Sequence, residues 1–355
     1  KSGPAQRLFD LALALQKDHS FTIEQRTKAD RGYELASGEE PRPRRSKSPA
    51  LDDGMTARAA FAAIAHDCIE QLRGSEAAAI LGRDPEGVHQ MRVGLRRLRA
   101  LFSTYRRQIA LEQFEPLTDE FDWLQRQLGV ARDWDVFIAH TLQPLQVRLP
   151  DEPAIPAMLR ASQMMREAGY RAMRLTLNDA RYTRLLLLLF RWLADPQWLK
   201  PAPGGLDPLN LPILQFSARI LAKRYRRLRK LGGKYADLAE QDLHQLRLQG
   251  KKLRYAAEFF RDLYPGKPTK RFIAAIADVQ DHLGSLNDAL VSRDLLAELG
   301  RRLSKLEDAG VAAHALGIVQ GWQAARIDRD LRELRRIWKQ FRGLEPFWEK
   351  GKRAG

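Results

Sequence analysis

The sequence predicts an all-α protein made of two pseudo-symmetric helical bundles from an internal duplication, preceded by a small N-terminal α/β segment. Three observations point there. Helical periodicity dominates from Thr56 to the end of the chain. The two halves of that region repeat one another at a fixed offset, and a Pro- and Gly-rich stretch lies between them. With 355 residues, of which 44% are hydrophobic and 29% charged, the chain can build two or three cores and is too apolar for wholesale disorder.

Residues 1–55 differ in texture from the rest. Leu8, Leu11, Ala12 and Leu15 share one face of a short helix, and Phe21–Arg26 alternates as a strand does. Tyr33–Ser48, rich in Gly, Pro, Glu and Arg, reads as turns and a linker with one further strand. Ala57–Leu81 is a long Ala-rich amphipathic segment. Asp84-Pro85-Glu86 then supplies an N-cap, a proline at the first helical position and an acid in the first turn. Gly129 and Gly284 predict helix stops, and Asp133 and Asp288 predict caps of the helices that follow. Lys200–Pro208, running on towards Pro212, is the linker. The resulting boundaries are 1–55 for the N-terminal segment, 56–200 for the first bundle and 212–355 for the second.

The duplication is read from three matches. Val88-His-Gln-Met-Arg-Val-Gly-Leu-Arg-Arg-Leu-Arg99 aligns with Leu243-His-Gln-Leu-Arg-Leu-Gln-Gly-Lys-Lys-Leu-Arg254, an offset of 155 from His89 to His244. The same offset brings Leu128-Gly129 and Arg132-Asp133 onto Leu283-Gly284 and Asn287-Asp288. It also brings Arg171, Arg174, Arg181 and Arg184 onto Arg326, Arg329, Arg336 and Lys339.

Lys and Arg number 60 against 44 Asp and Glu, a formal charge of +16, so an anionic partner is expected. The excess is localised. On a helical wheel His89, Arg92, Arg96 and Arg99 fall within an arc of about 80°, beside a separate apolar stripe of Met91, Leu95, Leu98 and Phe102. His244, Arg247, Lys251 and Arg254 repeat the file. From Val88 to Arg107 there are six Arg and no acid, so the segment holds no neutralising partner of its own. Arg171, Arg174 and Arg181 share a further face, as do Arg326, Arg329 and Arg336. An unduplicated run adds Arg219, Lys223, Arg224, Arg226, Arg227, Arg229 and Lys230. Arginine grips phosphate oxygens bidentately where lysine acts as a point charge, and a histidine heading each file can donate to a phosphate. Solvated helix faces, and buried histidines bonded to local backbone, are the plain alternatives. Metal ligation by His89 or His244 is disfavoured, because no second ligand stands at i+3 or i+4 and arginines surround them. Trp123, Trp134 and Trp192 stand at core spacing.

One cysteine, Cys68, excludes a disulfide framework. The longest apolar run, Leu185–Phe190, is far too short to span a bilayer, and no secretory leader is expected. A cytoplasmic protein with no membrane association is expected. No Gly-Lys-Ser/Thr phosphate loop, Gly-x-Gly-x-x-Gly, Gly-x-Ser-x-Gly or His-Glu-x-x-His occurs, and no acidic cluster in the helical part is set to hold Mg²⁺. The helical part therefore reads as a binder, not an enzyme, with no cofactor.

The doubled His-x-x-Arg-x-x-x-basic-x-x-Arg pattern and the Leu-Gly turns after it resemble the CHAD family, the conserved histidine α-helical domain, over residues 56–350. The resemblance implies two helical bundles about a basic groove or pore that binds inorganic polyphosphate. It carries the family's His and basic positions onto His89, Arg92, Arg96, Arg97, Arg99, His244, Arg247, Lys251, Lys252 and Arg254. Gly250 departs from a good helix former within the second file, and a close backbone approach there is expected. Glu24-Gln-Arg-Thr-Lys-Ala-Asp-Arg-Gly-Tyr33-Glu-Leu is similar to the last part of a CYTH, or triphosphate tunnel, domain, so the α/β segment is expected to be its remnant. That family's Glu-x-Glu-x-Lys signature is absent. The expected function is non-catalytic polyphosphate binding, with association to storage granules known in the family. The alternatives are a nucleic-acid binder using the same surface, or a triphosphate hydrolase if the full-length protein holds a complete CYTH domain.

Overall fold

The computed structural model describes residues 4–24, 26–106, 111–194, 209–233, 240–303 and 309–352. The Lys200–Pro208 linker and Arg107 lie outside the described residues. Among the described residues the regular structure is all helical. In chain order the helices are α1 (Gln6–Asp18), α2 (Lys28–Ser37), α3 (Ala57–Arg73), α4 (Glu76–Leu81), α5 (Glu86–Tyr105) and α6 (Leu111–Phe137). A π-helical turn (Ile138–Leu142) leads into α7 (Gln143–Arg148), α8 (Ala154–Leu177) and α9 (Ala180–Ala194). Then come α10 (Ile213–Leu231), α11 (Glu240–Phe259), α12 (Lys267–Leu303) and α13 (Ala309–Arg342). No helix among the described residues is long and apolar enough to cross a membrane.

The chain forms two compact units. The first comprises Lys1–Pro49, Thr56–Arg132 and Glu167–Leu211; the second comprises Ala50–Met55, Asp133–Arg166 and Pro212–Gly355. The second unit thus takes residues 133–166 from the first sequence half, and the division falls inside α6 and α8.

In the first unit, α5 lies against α3 and α4. Gly87 and Gly94, two turns apart, permit this: a Cβ on Gly87 would sit 2.6 Å from the Ala79 nitrogen, and one on Gly94 2.8 Å from that of Leu72. The apolar stripe Met91, Leu95, Leu98 and Phe102 is wholly buried there. Phe61 meets Phe102, Tyr105 and Trp192 edge-on, which suits the quadrupoles of aromatic rings. The Ala57–Leu81 segment is interrupted at Gly74-Ser75, where the Ser75 hydroxyl donates to the Gln71 carbonyl. Asp84 performs its capping role, its carboxylate accepting from the Glu86 N–H at 2.8 Å. In the second unit α12 and α13 pack along each other, and Leu296, Leu299, Leu303, Ala315 and Val319 join Trp134, Phe137, Ile138, Ile155 and Met158 in one core.

Several expectations are corrected. Residues 1–55 carry α1 and α2 and no strand among the described residues, so the N-terminal segment is not α/β. An isolated strand has no edge to pair with. Instead the Phe21 and Ile23 carbonyls accept from the Thr183 hydroxyl and the Arg73 guanidinium. Residues 28–37 are helical because Thr27 and Asp30 form a reciprocal capping box and Gly38 ends the helix in the left-handed region. On α1 the residues that pack are Phe9, Ala12 and Leu13, with Phe9 meeting the Phe190 ring, whereas Leu8, Leu11 and Leu15 are exposed. Gly129 and Gly284 do not stop helices: α6 and α12 run through both, and neither glycine takes a positive φ. A mid-helix glycine costs only about 1 kcal/mol, less than burial of Leu124, Leu128, Ala131 and Trp134 on either side returns. Asp133 and Asp288 are therefore mid-helix residues, not caps. Gly250 meets the Gln280 side chain and not a backbone.

Candidate functional site

In the first unit the period of α5 places His89, Arg92, Arg96 and Arg99 at the edge of its buried stripe, all half-buried. The Arg92 guanidinium donates to the Leu128 carbonyl of α6 at 3.3 Å, and Arg132 of α6 adds a further charge beside His89. Burial first, then the Arg132, Arg96 and Arg92 charges, push the His89 imidazole down to about 4, against the opposing pull of Glu86. At neutral pH this ring is uncharged in a strongly cationic field.

Two members of the predicted file are tied elsewhere. Arg97 is buried and pairs with Asp67 of α3 at 2.9 Å, while donating to Gln71 at 2.7 Å. Its charge is engaged within the scaffold. Arg99 pairs with Asp122 of α6. The acid-free stretch of α5 thus finds its partners on other helices, which no local pattern displays. Arg171 is exposed. Arg174 donates to the Ile80 carbonyl at 2.7 Å and closes the C-terminal end of α4. Arg181 grips Glu120 through two bonds, at 2.8 and 3.1 Å, and lies 4.4 Å from the centre of the Trp123 ring. Trp134 and Trp192 are buried as expected, whereas Trp123 is half-buried beneath that arginine.

In the second unit His244 is exposed at the start of α11, and Arg247, Lys251, Lys252 and Arg254 are half-buried along it. Arg254 bonds Glu258 at 2.7 Å. The charges of Arg247 and Lys251, of Arg326 on α13 and of His140 in the π-helical turn act on Asp288 of α12. Asp288 is exposed as a residue, yet its carboxyl is desolvated enough to stand above the usual carboxylate range despite those cations. The Arg326 guanidinium donates to the His140 carbonyl at 3.0 Å. Widened π turns offer such carbonyls outside the helical ladder. His140, Ser285, Asp288, Ser292, Gln323 and Arg326 line a cavity of about 30 Å³ here.

The remaining cations are dispersed. Arg219, Lys223, Arg226 and Arg227 are exposed on α10. Arg224 donates to the Lys252 carbonyl at 2.5 Å, and burial pushes its guanidinium down to about 10. Arg329 is exposed, and Arg336 bonds Glu333. The structure therefore assembles His89, Arg92 and Arg96 in one unit, and Arg247, Lys251 and Arg326 in the other. Arg132, His140 and Asp288 join them unforeseen: a π turn has no sequence signature, and Asp288 in a Gly-x-x-x-Asp pattern looks like a cap. Among the described residues no group of three or more His, Cys, Asp or Glu is placed to hold a metal ion.

A family model described as the CHAD domain matches residues 63–297. The chain belongs to the CHAD family. The crystal structure of the CHAD domain from the plant Ricinus communis is 31% identical, with a TM-score of 0.72 over 86% of this chain and 98% of that one. PptA from Streptomyces chartreusis shares the fold, with a TM-score of 0.61 at 14% identity over 80% of this chain and 99% of that one. Two Mycobacterium tuberculosis proteins, the uncharacterized proteins MT2285 and Rv2226, are each 27% identical over 218 residues, 60% of this chain. The chain spans 40% of the length of these curated relatives. The family match leaves residues 1–62 outside it.

Proposed function

We propose that this CHAD protein binds inorganic polyphosphate along the two basic faces, without catalysing its hydrolysis or transfer. The observation that supports this reading is that the charges of Arg247, Lys251 and Arg326, from two helices, act together on one carboxylate, Asp288, matched by the sequence-equivalent file in which burial and the neighbouring arginines hold His89 neutral. Each phosphate unit of a linear polymer carries about one negative charge, so rows of guanidinium and ammonium groups can be engaged in series. Counterion release makes such binding fall steeply with salt, and many weak contacts together favour long chains over orthophosphate. A cytoplasmic setting and association with polyphosphate granules belong to the same proposal.

The test is retention on immobilised long-chain polyphosphate. Changing Arg92, Arg96, Arg247 and Lys251 together to Gln should abolish retention while helicity by circular dichroism persists. Undiminished retention by the folded variant overturns the site. Competition with single- and double-stranded nucleic acid at matched charge and salt should leave polyphosphate the tighter ligand. Preference for nucleic acid overturns the ligand class.

A further inference from the structure

A groove of about 500 Å³ runs between α12 and α13 in the second unit. Its walls are Leu296, Ala297 and Gly300 from α12, and Leu316, Ala324 and Ile327 from α13. Two arginines of α12, Arg293 and Arg301, and two glutamines of α13, Gln320 and Gln323, also line it. Its volume falls in the range of small-molecule sites, which are mostly apolar with a few placed polar groups.

Gln323 is 9% exposed, and its side-chain Nε2 is buried with no hydrogen-bond partner among the described residues. A buried amide donor without an acceptor is rare in native proteins and asks for an explanation. Gln323 lines both this groove and the small cavity with Asp288 and Arg326. The register of the helix pair locates it further. A Cβ on Gly300 would lie 3.0 Å from the Leu316 side chain, so these two positions are level. Counting back seven residues on α12 and forward seven on its antiparallel partner sets Arg293 level with Gln323. Arg293 is exposed, and no ion pair or hydrogen bond joins it to the other described residues. Arg301, at the far end, is held by Glu298.

Along the groove a cation and an orphan N–H donor therefore stand at the same level. From there about 10 Å of groove follows along α12, walled by small and branched apolar side chains, which matches a medium-length aliphatic chain. We propose that this groove binds a single-tailed amphipathic anion, of which a medium-chain carboxylate is the simplest. Its head pairs with Arg293 at the level of Gln323; its tail lies over Ala297, Gly300 and Leu316. Small residues at Ala297 and Gly300 on α12 and Ala324 on α13 keep the channel open.

Isothermal titration of the full chain with sodium decanoate, n-decanol and decyltrimethylammonium tests this. Decanoate should bind saturably at one site, with the alcohol and the cation at least about tenfold weaker. Arg293→Glu and Ala324→Trp should each weaken decanoate by at least about tenfold with helicity and the thermal midpoint retained. Should Ala324→Trp lose helicity, Ala297→Trp on the opposite wall replaces it. Absence of saturable decanoate binding, equal binding of decanol, or wild-type affinity in both variants overturns the proposal.

Discussion

Replacing Arg97 by Ala should unfold the first unit well before it weakens anion binding. The Arg97 and Asp67 side chains are 7% and 10% exposed and 2.9 Å apart. Asp67 also accepts from the Ser46 hydroxyl at 2.6 Å and the Lys47 N–H at 3.1 Å, while Gln71 links Arg97 to Gln90. Truncation leaves the carboxylate desolvated with two neutral donors and no counter-charge, a loss of about 3–5 kcal/mol for a buried pair broken on one side. With a urea dependence of about 1–3 kcal/mol per molar, the midpoint should drop by at least about 1 M. Circular dichroism across a urea series reads the shift, and polyphosphate retention is then measured on the protein that remains folded. Arg96→Ala, one position away but half-buried on the file, should shift stability by less than about 1 kcal/mol and lower retention instead. A double change, Asp67→Leu with Arg97→Met, should recover most of the loss, because isosteric apolar pairs replace buried ion pairs at little cost. If Arg97→Ala keeps its midpoint within about 0.3 M of wild type and loses retention as Arg96→Ala does, Arg97 is a ligand and the assignment fails.

Three further outcomes are expected. Because the folded His89 imidazole sits at about 4 and an unfolded one near 6.5, the unfolded chain binds the proton first. Stability from this group is thus present above about pH 6.5 and is lost as the pH falls towards about 4. His89→Gln should flatten that slope in urea titrations, and should reduce the proton uptake on polyphosphate binding that calorimetry in two buffers detects near pH 5. Asp288→Asn removes the carboxylate that Arg247, Lys251 and Arg326 now face, so affinity for polyphosphate at fixed salt should rise by about threefold or more; a fall would show that the carboxylate positions those cations. Gly87→Ala sets a methyl against the Ala79 backbone and should cost about 1–3 kcal/mol. Gly317→Ala on α13, with nothing within 4 Å, should gain about 0.4–1 kcal/mol in the same denaturation assay.

Much of the candidate site could be read along the chain because helical periodicity is local. The spacing of His89, Arg92 and Arg96 places them on one strip wherever α5 packs, and Met91, Leu95, Leu98 and Phe102 show which side is buried. The same rule failed on α1, where Phe9 outweighed three leucines as the packing residue. It also failed for Arg97, which stands only about 100° from Arg96 on the helix. Whether such a neighbour meets water or Asp67 depends on where α3 lies. The strand expected at Phe21–Arg26 had the right alternation and no partner edge.

By itself the sequence determined the all-α class, the duplicated basic file and the resemblance that the family match upholds. These rest on contacts within a few residues of each other and on self-similarity, both visible in one dimension. Only the tertiary structure decided which cations are paired within the protein, since charge pairing joins residues such as Arg181 and Glu120 that lie far apart in sequence. It also brought Arg247 and Arg326 to Asp288 and His140. That grouping depends on helices running straight through Gly284 and on a π turn, both set by packing energies that exceed local propensity.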